Sequence, residues 1–463
     1  MKKGILLLTL IVLFSVLIFG KSNAPIQKTG TIYQIVEEAE LVKSNSVDGE
    51  DQLAFPQDAK AINHYILVDE KGLTYSLPSN FDGSKYAGQK VSFSANTNKY
   101  SLSNIVFTES PKVITPTATT GAYKVLTVVL SFNGVSNLIT EEQVRKPLFY
   151  DAQNVNLFFK TASFGQFWLT GDRNSDGDVA YINIQVNATE CKDKLYSDWS
   201  NLVDVELRLQ GINPQNYQSI INIYNDTVNC STNASGSVRV LGSKDTIRSW
   251  VPNTIYTTKL NAIAHELGHN LGLQHSSGYI CTKDNPVIAT DCQFYEYGDM
   301  ACFMGSFAYN LPNTYQRLRL GWFAHSYRAV IESQPVMYLY SPSTHTIGLA
   351  SKGYNRGQNF YIPLTGTQTG NNLYLEARRF LPPFDVFDAS VYIKRFQLGV
   401  KLMIAPNNYM DYNSRSYVID TTINTPFYND AALLESSFTV NGIKITNTRR
   451  ASIVYGTRVS IEF

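Results

Sequence analysis

The sequence predicts a mixed α+β domain with a β-rich region on either side, and three observations predict it. Short alternating runs broken by turn residues fill residues 25–109 and return from Tyr327 to the end. Between them strand-like and helix-like apolar patterns mix. A Pro/Thr-rich stretch from Ser110 to Gly121 separates the first region from the second. The chain has 463 residues, length enough for roughly two to four domains. Its 44 % hydrophobic content can fill their cores, and 29 Tyr with 24 Phe favour β structure. With 39 basic against 38 acidic residues the net charge is +1, which excludes the basic stripe of a nucleic-acid binder and the charged tails of a polybasic or acidic arm.

Lys2 and Lys3 lead an apolar run from Ile5 to Phe19, and the small residues Ser22 and Ala24 follow. That is the order of a secretory signal occupying residues 1–24, although Pro25 disfavours a cut at Ala24 and Gly20 offers another. The run is shorter than the ~20 residues a membrane span needs, and no second stretch is long and apolar enough, so a secreted chain without a span is expected. The five Cys all lie between 191 and 302. In an extracellular protein Cys281 with Cys292 and Cys191 with Cys230 are the expected pairs, leaving Cys302 as a buried thiol. Sequons at Asn187, Asn225, Asn229 and Asn233 suggest a glycosylated surface.

Within residues 25–121, runs at 30–36, 64–68, 73–77, 88–93 and 105–107 read as about five strands, with a hairpin turn at Asp69-Glu70-Lys71-Gly72. Five strands in ~80 residues suggest a small barrel of OB-like order. No basic, aromatic-laced face marks it as a nucleic-acid binder, so a structural or inhibitory pro-domain is expected. In residues 122–325 the run 124–132 predicts a buried strand, Thr140-Glu141-Glu142-Gln143 a capped helix start, and 155–161 and 179–186 further strands. Leu195, Trp199, Leu202 and Leu207 predict a helix stopping at Gly211, and a second helix covers 259–271. Residues 326–463 carry alternating runs without helix signals and predict a β-sandwich.

The chemistry lies in His265-Glu266-Leu267-Gly268-His269-Asn270-Leu271-Gly272-Leu273-Gln274-His275, which holds three of the six His. On a helix His265 and His269 fall roughly 40° apart on one face, while Leu260, Ala264, Leu267 and Leu271 gather on the other. Gly272 is placed to end the helix in a left-handed conformation and turn the chain so that His275 can supply a third nitrogen. Three neutral imidazoles leave one tetrahedral position open, the mark of a catalytic zinc site. Zinc there lowers the pKa of a water toward ~7 and polarises a scissile carbonyl. Glu266 is the expected general base.

This extended motif resembles the metzincin metallopeptidases. The segment Tyr297-Gly298-Asp299-Met300-Ala301-Cys302-Phe303-Met304-Gly305 is similar to their Met-containing turn, with Met304 as the turn residue and Met300 as packing. Together with Leu320-Gly321-Trp322, Leu375-Glu376-Ala377-Arg378-Arg379 and Gly399-Val400-Lys401, it resembles the gametolysin family of cell-wall-degrading peptidases. The resemblance covers residues 122–463. It implies a metzincin-like zinc peptidase domain with His265, His269 and His275 as metal ligands, Glu266 as catalytic base, and extracellular protein or glycoprotein substrates. Two departures stand out. No Cys precedes Cys191, so residues 25–121 cannot plug a metal with a thiol. Ser306 stands where some relatives place a tyrosine ligand.

Asp172-Arg173-Asn174-Ser175-Asp176-Gly177-Asp178 has the start of a calcium loop, but Asn183 stands at its twelfth position, so calcium and a plain polar hairpin turn are both open there. The rival to a peptidase is a matrix- or glycan-binding adhesion protein with secondary or lost peptidase activity. The intact Glu266 argues against loss.

Overall fold

The computed structural model describes residues 26–39, 42–45, 51–54, 59–77, 81–96, 101–106, 119–187, 197–225, 233–258, 260–305, 310–322, 328–330, 336–339, 356–357, 359–377, 384, 399–423, 431–434, 436–452 and 456–463. The signal region, Cys191, Cys230, Asn229 and most of the Pro/Thr linker lie outside them.

The N-terminal region holds β1 (Ile26–Glu37), a hairpin of β2 (Val42–Asn45) and β3 (Asp51–Ala54), β4 (Ile62–Asp69), β5 (Thr74–Ser76), β6 (Lys90–Asn96) and β7 (Ser101–Val106). The long β1 pairs antiparallel with β6 through its first half and with β4 through its second. With β4–β5, β5–β7 and β6–β7 the pairings run β1-β4-β5-β7-β6 and return to β1. Ile32, Leu67, Tyr75, Val91 and Phe93 fill the space this ring encloses.

The central sheet continues from the same strand. β8 (Gly121–Asn133) lies parallel between β10 (Asp178–Asn187) and β11 (Ser219–Tyr224), and β13 (Ile247–Pro252) follows β11 in parallel. Then comes β12 (Ser235–Ser237), antiparallel to β13, with β1 on its other side. The short β9 (Phe167–Thr170) pairs with the start of β8. Parallel strands need cover on both faces, and β8 meets that need with an apolar run. Val125 and Val129 enter one core and Leu126, Val128, Leu130 and Phe132 the other. The first core is capped by α2 (Val155–Ala162) and α5 (Leu260–Asn270), the second by α3 (Asp198–Leu209). Two shorter helices are α1 (Glu141–Arg145), entered through the expected capping box on Thr140 and Gln143, and α4 (Asn253–Thr258).

One element departs from the sequence reading: 155–161 is helix, not strand. Asn154 caps it, its side chain accepting from the Leu157 amide at 2.8 Å. Val155, Phe158, Phe159 and Ala162 repeat at helical spacing and are all buried. The β-branched and aromatic residues suggested a strand, but the cap and the 3.6 period decide. In α3, Trp199, Val203 and Leu207 face the core while Leu202 is exposed, and Gly211 ends the segment at φ 72°.

Two sheets close the chain. One runs β15 (Cys292–Tyr295), β14 (Ser276–Cys281), β22 (Ser416–Asp420), β21 (Val400–Pro406), β20 (Asn371–Ala377), β19 (Asn359–Pro363), β16 (Arg328–Val330). The other runs β18 (Arg356–Gly357), β17 (Val336–Leu339), β25 (Gly456–Glu462), β24 (Ile443–Ser452), β23 (Ser437–Val440). Leu373, Leu375, Leu402 and Ile419 of the first share a core with Phe438, Ile445, Val459 and Ile461 of the second. Sheets therefore run across residues 121 and 325 alike, because β1 joins β12 and β14 pairs in parallel with β22. Cys281 is bonded to Cys292 across the β14–β15 ladder, and Cys302 is a buried thiol outside that disulfide whose Sγ donates to Gln316 Oε1 at 2.9 Å. No helix among the described residues is long and apolar enough to cross a membrane.

Candidate metal centre

α5 delivers His265, Glu266 and His269. Its sheet-facing residues Ile263, Ala264, Leu267 and Leu271 pack into the first core. Asn270 ties its end to the sheet, its amide donating to the carbonyls of Ser237 at 3.0 Å and Arg248 at 3.2 Å. The Arg239 guanidinium donates to the Asn270 carbonyl at 2.8 Å, satisfying an acceptor the helix end leaves open. Gly272 takes φ 95°, and the Leu273 amide donates to the Gly268 carbonyl at 3.0 Å. The chain turns as the sequence predicts and brings His275 back beside the helix.

All three imidazoles are buried. Each spends its Nδ1 on a fixed acceptor: the Phe303 carbonyl at 2.7 Å for His265, the Leu273 carbonyl at 2.8 Å for His269, and the Glu296 carboxylate at 3.1 Å for His275. A carbonyl can only accept, so Nδ1 of His265 and His269 carries the proton and Nε2 keeps its lone pair. The Nε2 atoms converge. Those of His265, His269 and His275 lie 3.3, 3.2 and 3.2 Å from the carboxylate of Glu38, which β1 carries in from the N-terminal region. The four potential ligand atoms lie within 4.8 Å of one another, and this is the one such cluster among the described residues. Three imidazoles and a carboxylate, with outer partners orienting the rings, are a donor set that fits zinc.

Glu266 is fully buried, and neither carboxylate oxygen has a hydrogen-bond partner among the described residues. Burial, with the Glu38 charge adding to it, pushes its carboxyl well above the usual carboxylate range. β12 comes close here because Gly236 has no side chain: a Cβ there would sit 2.8 Å from Glu266 Oε2. Burial alone would also raise Glu38, but the imidazoles of His275 and His265 outweigh it and hold that carboxylate well below its ordinary range. Burial lowers His269 to about 4. For His275 burial is outweighed by the Glu38 charge, and its value rises to about 9.

The segment after β15 forms the floor. Met304 is buried, its carbonyl accepts from the Ser276 amide at 2.9 Å, and its sulfur lies against α5 at Gly268. A Cβ on Gly268 would overlap that sulfur and stand 2.9 Å from the Phe303 ring. Gly268→Ala is therefore expected to destabilise by ~1–3 kcal/mol through overpacking, whereas Met304→Leu, which conserves volume, should cost under ~1.5 kcal/mol. Thermal unfolding of the two variants checks the order, and equal losses would contradict it. Met300 packs on a separate cluster with Tyr315 and Tyr374, as expected of a packing residue.

Asp299 anchors the floor from below. It accepts from Ser276 Oγ at 2.8 Å, from Asn313 at 3.1 Å and from Lys401 Nζ at 3.0 Å, while Lys401 also meets Glu376 at 3.2 Å. Asn313 caps α6 (Thr314–Arg319), its side chain accepting from the Gln316 amide at 3.0 Å.

The loop 171–178 is a polar turn but not a hairpin, because the β9 and β10 it joins both pair in parallel with β8 and not with each other. Asp178 spends its carboxylate on the amides of Asp172, Arg173 and Asn174 at 2.8–3.0 Å and on the Tyr217 hydroxyl at 2.8 Å. Asp172 pairs with Lys124 at 2.6 Å, and Asp176 with Arg145 at 3.1 Å. The carboxylates a cation would need point to different partners.

The structure thus brings His265, His269 and His275 together, as the motif predicts, and adds Glu38, Glu296 and Tyr297, which the sequence did not single out for the site. Tyr297 packs against His275, its ring tilted by 46° with centroids 4.5 Å apart, and donates to Glu38 at 2.8 Å. Glu38 sits in Val36-Glu37-Glu38-Ala39, with no local mark to distinguish it from its neighbour.

No curated protein matches the chain. Residues 123–378, more than half of the sequence, match the family described as Gametolysin peptidase M11. That span opens with β8 and closes just after β20, taking in the three imidazoles, Glu266 and the Asp299 floor, so on this match the chain belongs to the gametolysin M11 peptidases and its substrates are proteins.

Proposed function

We propose that this chain is a secreted zinc endopeptidase of metzincin type that hydrolyses peptide bonds in extracellular, cell-wall or matrix proteins and glycoproteins. The observation that carries the reading is the convergence of three Nε2 atoms whose Nδ1 partners are already engaged. Rings held this way present three lone pairs to one cation. His265, His269 and His275 would hold the zinc, which when bound supplies Lewis acidity toward a water and the scissile carbonyl. Glu266 takes the proton from the attacking water and delivers it to the departing amine nitrogen. Its buried carboxylate, which makes no hydrogen bond among the described residues, suits that role.

In this reading residues 1–24 are the signal and 326–463 form a β-sandwich, supported by the core the two C-terminal sheets share. Residues 25–121 are an OB-like barrel and linker, supported by the β1-β4-β5-β7-β6 ring. The sequons and the Cys281–Cys292 bond favour an extracellular setting. The test is zinc content together with digestion of a peptide library by the purified chain, before and after mild trypsin treatment, with and without a zinc chelator. Stoichiometric zinc and chelator-sensitive cleavage are expected. A chain that binds no metal, or cleavage indifferent to the chelator, would overturn the reading.

A further inference from the structure

We propose that Glu38 is a fourth ligand to the metal and that β1, by delivering it, holds the peptidase latent. The proposal rests on the reading of the three-histidine centre as catalytic and adds how that centre is kept closed. The Glu38 side chain is 1 % exposed, and its carboxylate stands 3.2–3.3 Å from all three Nε2 atoms. A catalytic zinc keeps one tetrahedral position for water. Here a protein oxygen stands 3.2–3.3 Å from each of the three nitrogens, the place of a fourth ligand, so the N3O set would be complete without water.

The carboxylate is held from every side. Tyr297 donates to Oε2 at 2.8 Å, the Glu38 amide donates to the Ala234 carbonyl at 3.1 Å, and the Ala39 amide reaches the Tyr297 hydroxyl at 3.2 Å. The approach is fixed by register: Ile35, Val36 and Glu37 lie opposite Ser237, Gly236 and Ser235 of β12, the strand whose Gly236 abuts Glu266. Side chains alternate along an extended strand. Glu37 therefore turns away and meets His64 at 2.8 Å, while Glu38 turns in. The strand is also pinned at a distance. Gln274 donates to Gln34 at 2.9 Å, and Gln34's own amide donates to the Tyr412 hydroxyl at 2.9 Å.

Burying a carboxylate costs several kcal/mol unless cationic partners meet it, so this placement makes physical sense as ligation. A ligand tethered by the chain competes at an effective concentration on the order of millimolar, and a peptide carbonyl arriving from solution cannot displace it easily. Latency without a thiol follows, in a chain whose first Cys is Cys191. Activation then requires β1 to leave β12.

The test uses the full chain loaded with cobalt as a spectroscopic stand-in for zinc. Glu38→Ala and the isosteric Glu38→Gln should alter the cobalt visible absorption, speed metal release to a chelator by roughly 10-fold or more, and raise peptide hydrolysis at least as much. Glu37→Gln should leave all three readings at wild-type values. An unchanged spectrum and release rate in both Glu38 variants would overturn the ligation. A changed spectrum without a gain in hydrolysis would overturn the latency. His269→Ala separates this proposal from the one beneath it. If that variant still holds cobalt as tightly as wild type, the histidine centre itself is misread. If it loses cobalt while the Glu38 variants behave as wild type, only the role of Glu38 falls.

Discussion

Alanine in place of Glu266 should leave metal stoichiometry intact and lower peptide hydrolysis by at least ~10². The two halves of this expectation come from different atoms. The imidazoles that would hold the cation are oriented by Phe303, Leu273 and Glu296, none of which hydrogen-bonds the Glu266 carboxylate. The Glu266 carboxylate is buried without a hydrogen-bond partner among the described residues, so its removal orphans no donor among them. It also removes the carboxylate that α5 carries between His265 and His269. Measurement should be made both in the wild-type chain and on a Glu38→Gln background, so that a closed centre does not mask the loss. Retained zinc with turnover near the parent's rate would remove Glu266 from the role of base. His269→Ala should behave oppositely and lose the metal, since two imidazoles hold zinc weakly.

Lys401→Met should destabilise the folded chain by roughly 3–5 kcal/mol. Lys401 is 1 % exposed and is the cation between Asp299 and Glu376, both of which are fully buried. Methionine fills a similar volume, so packing is not the loss. Two carboxylates would instead remain out of water with their countercharge gone. Against a total stability of ~5–15 kcal/mol for a typical domain, that is a large fraction. The damage should reach the metal centre, because Asp299 holds Ser276, the residue after His275, at 2.8 Å. Replacing Asp299 by Asn and Glu376 by Gln together with Lys401→Met removes the stranded charges and should recover part of the loss. Thermal unfolding decides: a change under ~1 kcal/mol in the single variant would mean that the triad is solvated or dispensable.

The helix, its histidines and its glycine stop were legible because their causes are local. Eleven consecutive residues carry the period, the base and the turn, and no distant contact is needed to read His265, Glu266, His269 and His275 as one site. The strand 124–132 was legible for a related reason, since burial on both faces of a parallel sheet leaves a continuous apolar run. The segment 155–161 was misread because Phe and Val satisfy both periods over so short a run. The Asn154 cap, which is also local, was the overlooked signal.

The sequence by itself marked the candidate centre: which imidazoles share a helix face, which carboxylate stands beside them, and where the helix must stop. Only the tertiary structure decided what stands in front of that centre and what holds it up. Glu38 and His269 are 231 residues apart, and Asp299 and Lys401 are 102 apart. Their meeting depends on the register of β1 against β12 and on the parallel pairing of β14 with β22. Such pairings are chosen by burial and hydrogen bonding summed over whole sheets. A glutamate at the end of an alternating strand has the same local pattern whether it faces water or three imidazoles, and the pairing of the strand alone settles which.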